Sequence, residues 1–174
     1  SDLQPGGLEV TTQYRLVSTS TYGCGTVTSN TVTLPVYADI TPPTAGPDQT
    51  LCYNTAPADL QSSPALGGGG AFSYEWEAVT GTVDSLGVSD LIWNPGPLTQ
   101  TETYRLRADN LNGCGTTYSG NLEVEVLPVF VAGTLLDATI PLDTLCYGTG
   151  TTLVATPASG ADGGYTISWQ VSEA

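Results

Sequence analysis

Apolar and polar residues alternate along several short segments of the chain. In residues 72–77 (Phe-Ser-Tyr-Glu-Trp-Glu) the aromatic residues share one face, and the serine and both glutamates share the other. Residues 122–126 (Leu-Glu-Val-Glu-Val) alternate in the same way. A period of two is typical of a strand with one buried face. These segments are therefore predicted to be half-buried strands whose acidic residues lie in water.

Glycine and proline residues stand between the alternating segments and indicate turns. The middle of the chain is expected to hold about seven short strands, with turn signals about every 8–14 residues and no helical periodicity. Strands are predicted near residues 58–62, 72–77, 90–93, 102–107 and 122–126, with a hairpin loop at 110–115. This pattern predicts an all-β fold made of tandem Ig-like antiparallel β-sandwiches.

The pattern recurs at an interval of about 90 residues, which is typical of an array of small domains. The repeated segments are Tyr-Arg-Leu at 14–16 and 104–106, Gly-Cys-Gly-Thr at 23–26 and 113–116, and Thr-Leu-Cys-Tyr at 50–53 and 144–147. We predict the C-terminal half of one Ig-like repeat at 1–37, a complete repeat at 38–130, and the N-terminal half of a further repeat at 131–174. Neither half can bury a core alone, so each is expected to be completed in a longer chain or by a neighbour.

Four aromatic residues are expected in the sandwich cores. Trp76 and its counterpart Trp169 end alternating segments, and Tyr104 and its counterpart Tyr14 begin the sixth strand of their units. A tyrosine at this place can also anchor a strand corner through its hydroxyl group. Packing in the core is the simpler interpretation, and we favour it over a ligand role.

The chain is strongly acidic. Its 174 residues include 17 Asp and Glu but only 3 Arg and Lys, all of them Arg, which gives a net charge of −14. Such a surface repels nucleic acid and anionic lipid, so neither is expected as a partner. An acidic coat that keeps a long extracellular molecule soluble explains this charge, and a calcium-rich or salty habitat is the alternative. No apolar stretch approaches the ~20 residues of a membrane span, so no membrane insertion is expected in this segment.

The residues needed for most catalytic sites are missing from the sequence. Because the chain has no His, it cannot hold a Ser-His-Asp or Cys-His nucleophile or a histidine metal centre. Phosphate-binding glycine motifs are absent as well. Paired carboxylates such as Glu75 and Glu77 lie on predicted outward faces, where a solvated surface is the better interpretation than glycoside hydrolysis. We expect no enzymatic activity and no cofactor.

Four cysteines occupy two repeated positions. None forms a CxxC pair, so disulfides are favoured over a metal site, with unpaired thiols as the alternative. Cys52 and Cys114 lie in the complete repeat and are the preferred pair; Cys24 and Cys146 would then have partners outside the chain. In a standard Ig topology the two paired positions lie at opposite ends, so this bond requires Cys52 to sit early on its strand.

One loop has oxygen ligands that suit a calcium ion weakly. Asp109, Asn110 and Asn112 precede the hairpin glycine, and carboxylate and amide oxygens bind Ca²⁺. The equivalent loop at 18–25 has no acidic residue, so a plain Asx-rich hairpin is the favoured interpretation.

Several motifs together resemble a known class of repeat. They are Ala-Gly-Pro-Asp-Gln-Thr-Leu-Cys at 45–52, the aromatic-x-Tyr-x-Trp strand at 72–76, Thr-Tyr-Arg-Leu at 103–106 and Asn-Gly-Cys-Gly at 112–115, followed by a Val-rich final strand. They resemble the Ig-like/PKD-like tandem repeats of giant Bacteroidetes cell-surface adhesins of the SprB type, which are secreted by the type IX system. The resemblance implies extracellular display on the bacterial surface, adhesion to polysaccharide or solid surfaces, and repeats without catalytic activity.

Two Asp-Ser/Thr-aliphatic triplets, centred on Ser85 and Thr144, resemble the O-glycosylation motif of secreted Bacteroidetes proteins. Together these features predict a structural or adhesive segment of a long cell-surface adhesin or filament, in gliding motility or surface attachment. Its expected partners are neighbouring repeats and surface polysaccharide. One alternative is a carbohydrate-binding or spacer module of a secreted enzyme, for which Tyr22, Tyr118 and Trp93 are the candidate aromatics. A second alternative is a self-assembled fibre whose neighbours exchange strands.

Overall fold

The computed structural model describes residues 2–137 and 145–171, and every regular element within them is a β-strand. The prediction of an all-β fold is confirmed. The first unit contains β1 (Thr12–Tyr14), β2 (Val17–Thr19), β3 (Thr26–Thr28) and β4 (Val32–Leu34). The central unit contains β5 (Gln49–Leu51), β6 (Leu60–Gln61), β7 (Phe72–Ala78), β8 (Asp84–Ser85), β9 (Ile92–Trp93), β10 (Glu102–Asn110), β11 (Thr116–Tyr118) and β12 (Leu122–Val126). The third unit contains β13 (Leu135–Asp137) and β14 (Leu153–Ala155).

The central unit has a six-stranded sheet in the order β5-β12-β10-β7-β8, with β11 also paired to β10, and a second sheet of β6 and β9. All its strand pairs are antiparallel except β5 and β12, which run parallel. The expectation of purely antiparallel sheets is therefore corrected. The chain enters the unit beside the β10–β11 hairpin and runs away from it along β5, in the same direction as β12.

The core lies between the two sheets of the central unit. Trp76, Leu106, Leu122 and Val124 project from the large sheet and meet Leu60 of β6, and all five are essentially inaccessible to solvent. The Trp76 indole N–H donates to the carbonyl oxygen of Asp90 at 2.8 Å, so the buried ring keeps a partner for its one polar atom.

Tyr104 and Trp93 complete this aromatic cluster. Tyr104 is buried on β10, and its ring meets the Trp93 ring edge-on with the centroids 5.4 Å apart. Such T-shaped contacts are a favourable arrangement of aromatic pairs. Both Trp76 and Tyr104 thus act as packing residues in the central unit.

The first unit repeats hydrogen bonds and strand register of the second half of the central unit. The backbone N–H of Leu16 donates to the Ser29 hydroxyl at 2.8 Å, and that of Leu106 donates to the Ser119 hydroxyl at 2.8 Å. The strand registers match as well, since Thr12 faces Leu34 as Glu102 faces Val124.

The third unit repeats the first half of the central unit. The hydroxyls of Thr44 and Ser63 lie 2.8 Å apart, and those of Thr134 and Thr156 lie 2.7 Å apart. The repeat seen in the sequence is therefore also a repeat of hydrogen bonds. The exact boundaries at 37/38 and 130/131 stay predictions.

The two half-units leave their predicted core residues uncovered. Trp169 is 59% exposed, whereas its counterpart Trp76 is 0% exposed. Tyr14 is only partly buried, and Leu16 is 62% exposed, whereas Leu106 is 0% exposed. The expectation that Trp169 and Tyr14 are core residues is thus not met among the described residues.

Candidate functional site

The central unit carries its two cysteines at opposite ends, and these ends are also where the chain enters and leaves the unit. We call them the hairpin pole (residues 110–116 with the turn 67–71) and the turn pole (residues 52–55 with 98 and 127). The hairpin pole is shaped by Gly113 and Gly115, which have φ angles of 79° and 121°. Only glycine adopts such angles without strain. The Cys114 N–H donates to Asn110 Oδ1 at 3.2 Å and is held at this end.

Two asparagines join the hairpin to the neighbouring glycine turn. The side-chain amide of Asn110 donates to the carbonyl oxygens of Gly68 at 2.9 Å and Ala71 at 3.2 Å. The side-chain amide of Asn112 donates to the same Gly68 oxygen at 2.8 Å. The hairpin pole is therefore cross-linked by side-chain to backbone hydrogen bonds, which are strong where the side chain is buried.

In the suggested calcium site at Asp109, Asn110 and Asn112, side-chain oxygens already have hydrogen-bond partners within the protein, and a calcium role for them stays a prediction. The side-chain oxygen of Asn110 already accepts the backbone N–H groups of Asn112 and Cys114, and the side-chain amides of Asn110 and Asn112 turn their nitrogens toward Gly68. The Asp109 carboxylate is engaged by Thr116 and Arg107. Over residues 2–137 and 145–171, no group of three or more His, Cys, Asp or Glu side chains is placed to hold a metal ion.

The incoming linker is docked on the hairpin pole. The Gly68 N–H donates to the Ala38 carbonyl oxygen at 2.8 Å, and Thr41 forms an antiparallel bridge with Leu66. Gly67 has a φ of +80°, and a Cβ added there would collide with the Asp39 carbonyl oxygen. A glycine is therefore needed at this place for both its conformation and its lack of a side chain.

The linker to the third unit is docked in the same manner. The Ala161 N–H donates to the Pro128 carbonyl oxygen at 2.9 Å, and Gly160 lies against the Val129 carbonyl group as Gly67 lies against Asp39. The sequence did not predict this docking. The available signal was a glycine run together with an Asn-x-Asn hairpin, both adjacent to the linker in space.

The turn pole is built around Cys52. The Thr55 hydroxyl donates to the Cys52 carbonyl oxygen at 2.6 Å, and the Leu127 N–H donates to the Leu51 carbonyl oxygen at 2.8 Å. The third unit forms the same turn, because the Thr149 hydroxyl donates to the Cys146 carbonyl oxygen at 2.6 Å.

The predicted bond between Cys52 and Cys114 is not formed, and all four cysteines are free and exposed. Cys52 follows β5, which is parallel to β12 and runs away from the hairpin that holds Cys114. The nine residues of β10 alone span about 30 Å at about 3.3 Å per residue. Bonded cysteines have Cα atoms only about 5.5 Å apart, so the two poles of one unit cannot be joined.

A charged face on β7 and β10 contains the two arginines of the central unit. Arg105 pairs with Glu77 at 2.8 Å, and Arg107 pairs with Glu75 at 2.8 Å and with Glu77 at 3.3 Å. Glu77 is only 4% exposed. The expectation that Glu75 and Glu77 lie freely in water is therefore corrected. Both carboxylates are neutralised by arginines, which suits a structural network better than acid–base chemistry.

The remaining candidate positions are spread over the surface. Ser85 is exposed, and its hydroxyl donates to the Glu75 carboxylate; Thr144 lies outside the described residues. Tyr22 is exposed on the first unit, and Tyr118 is exposed on the central unit with the Arg105 guanidinium carbon 4.2 Å from its ring centroid. Trp93 packs on Tyr104. The structure does not bring these three aromatics into one platform. None of the described residues forms a helix long and apolar enough to cross a membrane.

Comparison with curated proteins gives no match. Residues 41–128, which make up half of the chain and include all eight strands of the central unit, match the family described as Domain of unknown function (DUF8696). The chain therefore belongs to the DUF8696 family.

Proposed function

We propose that this chain is a structural and adhesive segment of a long array on the outer surface of a bacterial cell. The observation that supports this proposal most directly is the recurrence of hydrogen bonds from the central unit, those of its second half in the first unit and those of its first half in the third. A fold that repeats its poles and linkers extends by addition of units and needs no catalytic centre.

The docked linkers suit an array that must hold its length. The linker entering the central unit contains Pro42 and Pro43, which restrict the backbone, and Pro43 is fully buried. Ala38 and Thr41 are hydrogen-bonded to the glycine turn and its neighbour. A linker fixed at several points transmits orientation from one unit to the next, in contrast to a free Gly/Ser linker.

The surface charge suits display outside the cell. Arg105 and Arg107 are engaged in ion pairs, so they leave the acidic residues of the outer surface without compensation. Such a surface stays soluble at high local density and binds neutral sugars or cationic groups more readily than nucleic acid. Many weak contacts of this kind, repeated along an array, give strong attachment through avidity.

The proposal is tested on intact cells of the source organism with Fab fragments raised against this chain. Fab labelling of unpermeabilised cells, together with reduced attachment or gliding on polysaccharide-coated glass, is the expected result. A Fab against an abundant protein of the cell interior serves as the control. Labelling that requires permeabilisation would refute surface display, and labelling without an effect on attachment or gliding would leave a purely structural array.

A second candidate function is a fibre in which neighbouring chains complete each other's sandwiches. The exposure of Leu16 and Trp169, whose counterparts are buried, favours it. The third unit also has an open cleft of about 520 Å³ lined by Phe130, Tyr165 and Trp169 among others. Sedimentation velocity of the chain at increasing concentration distinguishes the two candidates: head-to-tail oligomers are expected for a fibre, and a monomer at all concentrations counts against it.

A further inference from the structure

We propose that consecutive units are linked by a disulfide between the turn-pole cysteine of one unit and the hairpin-pole cysteine of the next. The inference rests on the proposed array. It assigns all four exposed cysteines to one rule: Cys52 and Cys146 are turn-pole cysteines, and Cys24 and Cys114 are hairpin-pole cysteines. The two kinds lie at opposite poles of a unit, so they meet only where one unit follows another.

The first step of the argument is the path from Cys52 to the next unit. Cys52 directly follows Leu51, whose carbonyl oxygen accepts the Leu127 N–H at 2.8 Å. Pro128 follows Leu127 in the chain, and its carbonyl oxygen accepts the Ala161 N–H at 2.9 Å. Ala161 belongs to the turn of the third unit that corresponds to the glycine turn of the central unit. Two backbone hydrogen bonds therefore connect the surroundings of Cys52 to the hairpin-pole turn of the unit that follows.

The second step places a cysteine at that turn. In the central unit the Gly68 oxygen accepts the amides of both Asn110 and Asn112, at 2.9 and 2.8 Å. Asn110 also holds the Cys114 N–H at 3.2 Å. The hairpin cysteine is thus fixed beside the turn that receives the linker. By the repeat, the hairpin cysteine of each unit faces the turn-pole cysteine of the unit before it.

The third step is that the backbone hydrogen bond closing the hairpin recurs in the first unit, and the bonds of the turn recur in the third. The hairpin around Cys24 has Ser20 N–H donating to the Gly25 oxygen at 2.9 Å, as Asn110 N–H donates to the Gly115 oxygen at 2.9 Å. The Cys146 turn repeats the Cys52 turn through Thr149. The pairing rule can therefore apply at each junction.

The bond forms by thiol–disulfide exchange with a small disulfide donor such as oxidised glutathione. One protein thiolate attacks the donor, releases one glutathione thiolate and gives a mixed disulfide. The second protein thiolate displaces the other glutathione, so two protons leave the protein and the donor is reduced to two thiols. All four cysteines are exposed and accessible to the donor.

The test uses two full chains fused head to tail, with residues 82–88 inserted at the joint. Those residues have no counterpart in either half-unit, since Ala174 corresponds to Gly81 and Ser1 to Ser89. In the fusion, the third unit of the first copy and the first unit of the second copy together supply one complete sandwich. The fusion is incubated with oxidised glutathione, and its disulfides are mapped by mass spectrometry of unreduced peptides.

The expected bonds join Cys52 of the first copy to Cys24 of the second, and Cys146 of the first copy to Cys114 of the second. The other cysteines stay without a protein partner. In a matched pair of variants, Cys146→Ser in the first copy removes one bond only, and Cys24→Ser in the first copy removes none. A bond between Cys52 and Cys114 of the same copy overturns the proposal.

Hydrogen exchange at the joint separates the disulfide from the array on which it rests. Amides around Leu16 of the second copy gain protection if the joined sandwich folds. Protection at the joint without the two expected bonds overturns the disulfide and leaves the array intact. Absence of protection counts against completion of the half-units and therefore against both.

Discussion

Truncation of two equivalent leucines, one in the first unit and one in the central unit, tests directly which sheet faces are covered. Leu106 is 0% exposed in the central core, and Leu16 at the equivalent place in the first unit is 62% exposed. Leu106→Ala removes buried methyl groups and leaves a cavity, which costs about 3–5 kcal/mol. Leu16→Ala removes a side chain that is mostly in water, so its cost is about 1 kcal/mol or less.

Local hydrogen exchange is the suitable assay, because the units unfold separately if they are independent. About 1.4 kcal/mol corresponds to a factor of ten in the exchange rate. Leu106→Ala is therefore expected to speed exchange in peptides of β10 and β12 by about a hundredfold or more. Leu16→Ala is expected to speed exchange in peptides of β1 and β4 by less than about tenfold. Equal effects would refute the reasoning, because they would show that the face carrying Leu16 is covered in solution. A small effect at Leu106 would refute the assignment of the core.

Three further changes test the pole, the charged face and the core tyrosine. Gly67→Ala is expected to lower the urea midpoint more than Gly70→Ala. Both glycines have a positive φ, so either substitution costs about 1–2 kcal/mol in backbone strain. Only the alanine at position 67 would also bring its Cβ against the linker backbone. Glu77→Gln is expected to lower the free energy of unfolding in urea by about 1–3 kcal/mol, since it leaves Arg105 and Arg107 with a weaker partner. The control Glu123→Gln, at an exposed site, is expected to change it by less than about 0.5 kcal/mol. Burial, and next the charge of Glu102, raises the pKa of Tyr104 to about 12. The neutral phenol is therefore favoured in the folded state, and its contribution of about 3 kcal/mol is complete below pH 10 and is lost as the pH rises toward 12. Urea unfolding from pH 9 to 11.5 should show this loss, and it should be smaller in Tyr104→Phe.

The long strands could be predicted from the sequence because their alternation reflects burial of one face. β12 was predicted with its observed bounds, and β7 and β10 were predicted with their first residues correct. The two-residue strands β6 and β9 are too short to show a period, and they were predicted longer than they are. Alternation also identified the face on which Glu77 lies. It did not show that arginines of the neighbouring strand would cover that face, because this depends on strand order.

The predicted bond between Cys52 and Cys114 was wrong because of the direction in which β5 runs. Chain length between Cys52 and Cys114 permits a bond, but β5 lies parallel to β12 and carries Cys52 to the far pole. The sequence around residues 49–51 contains no signal for parallel rather than antiparallel pairing. The structure of the hairpin pole could not be predicted from the sequence either, because its hydrogen bonds join residues that are 42 and 44 positions apart.

The junctions between units are held by hydrogen bonds between backbone groups. The same junction can therefore recur although the residues that form it differ from unit to unit. The contact of Ala38 with Gly68 becomes that of Pro128 with Ala161, and each consists of an N–H donating to a carbonyl oxygen. Ala161 even adopts a φ of 49°, which an alanine accepts only at a cost of about 1 kcal/mol. The contacts around it therefore impose the turn, and the local residue does not select it. An array built on such junctions can vary its surface from unit to unit and still keep one linker geometry.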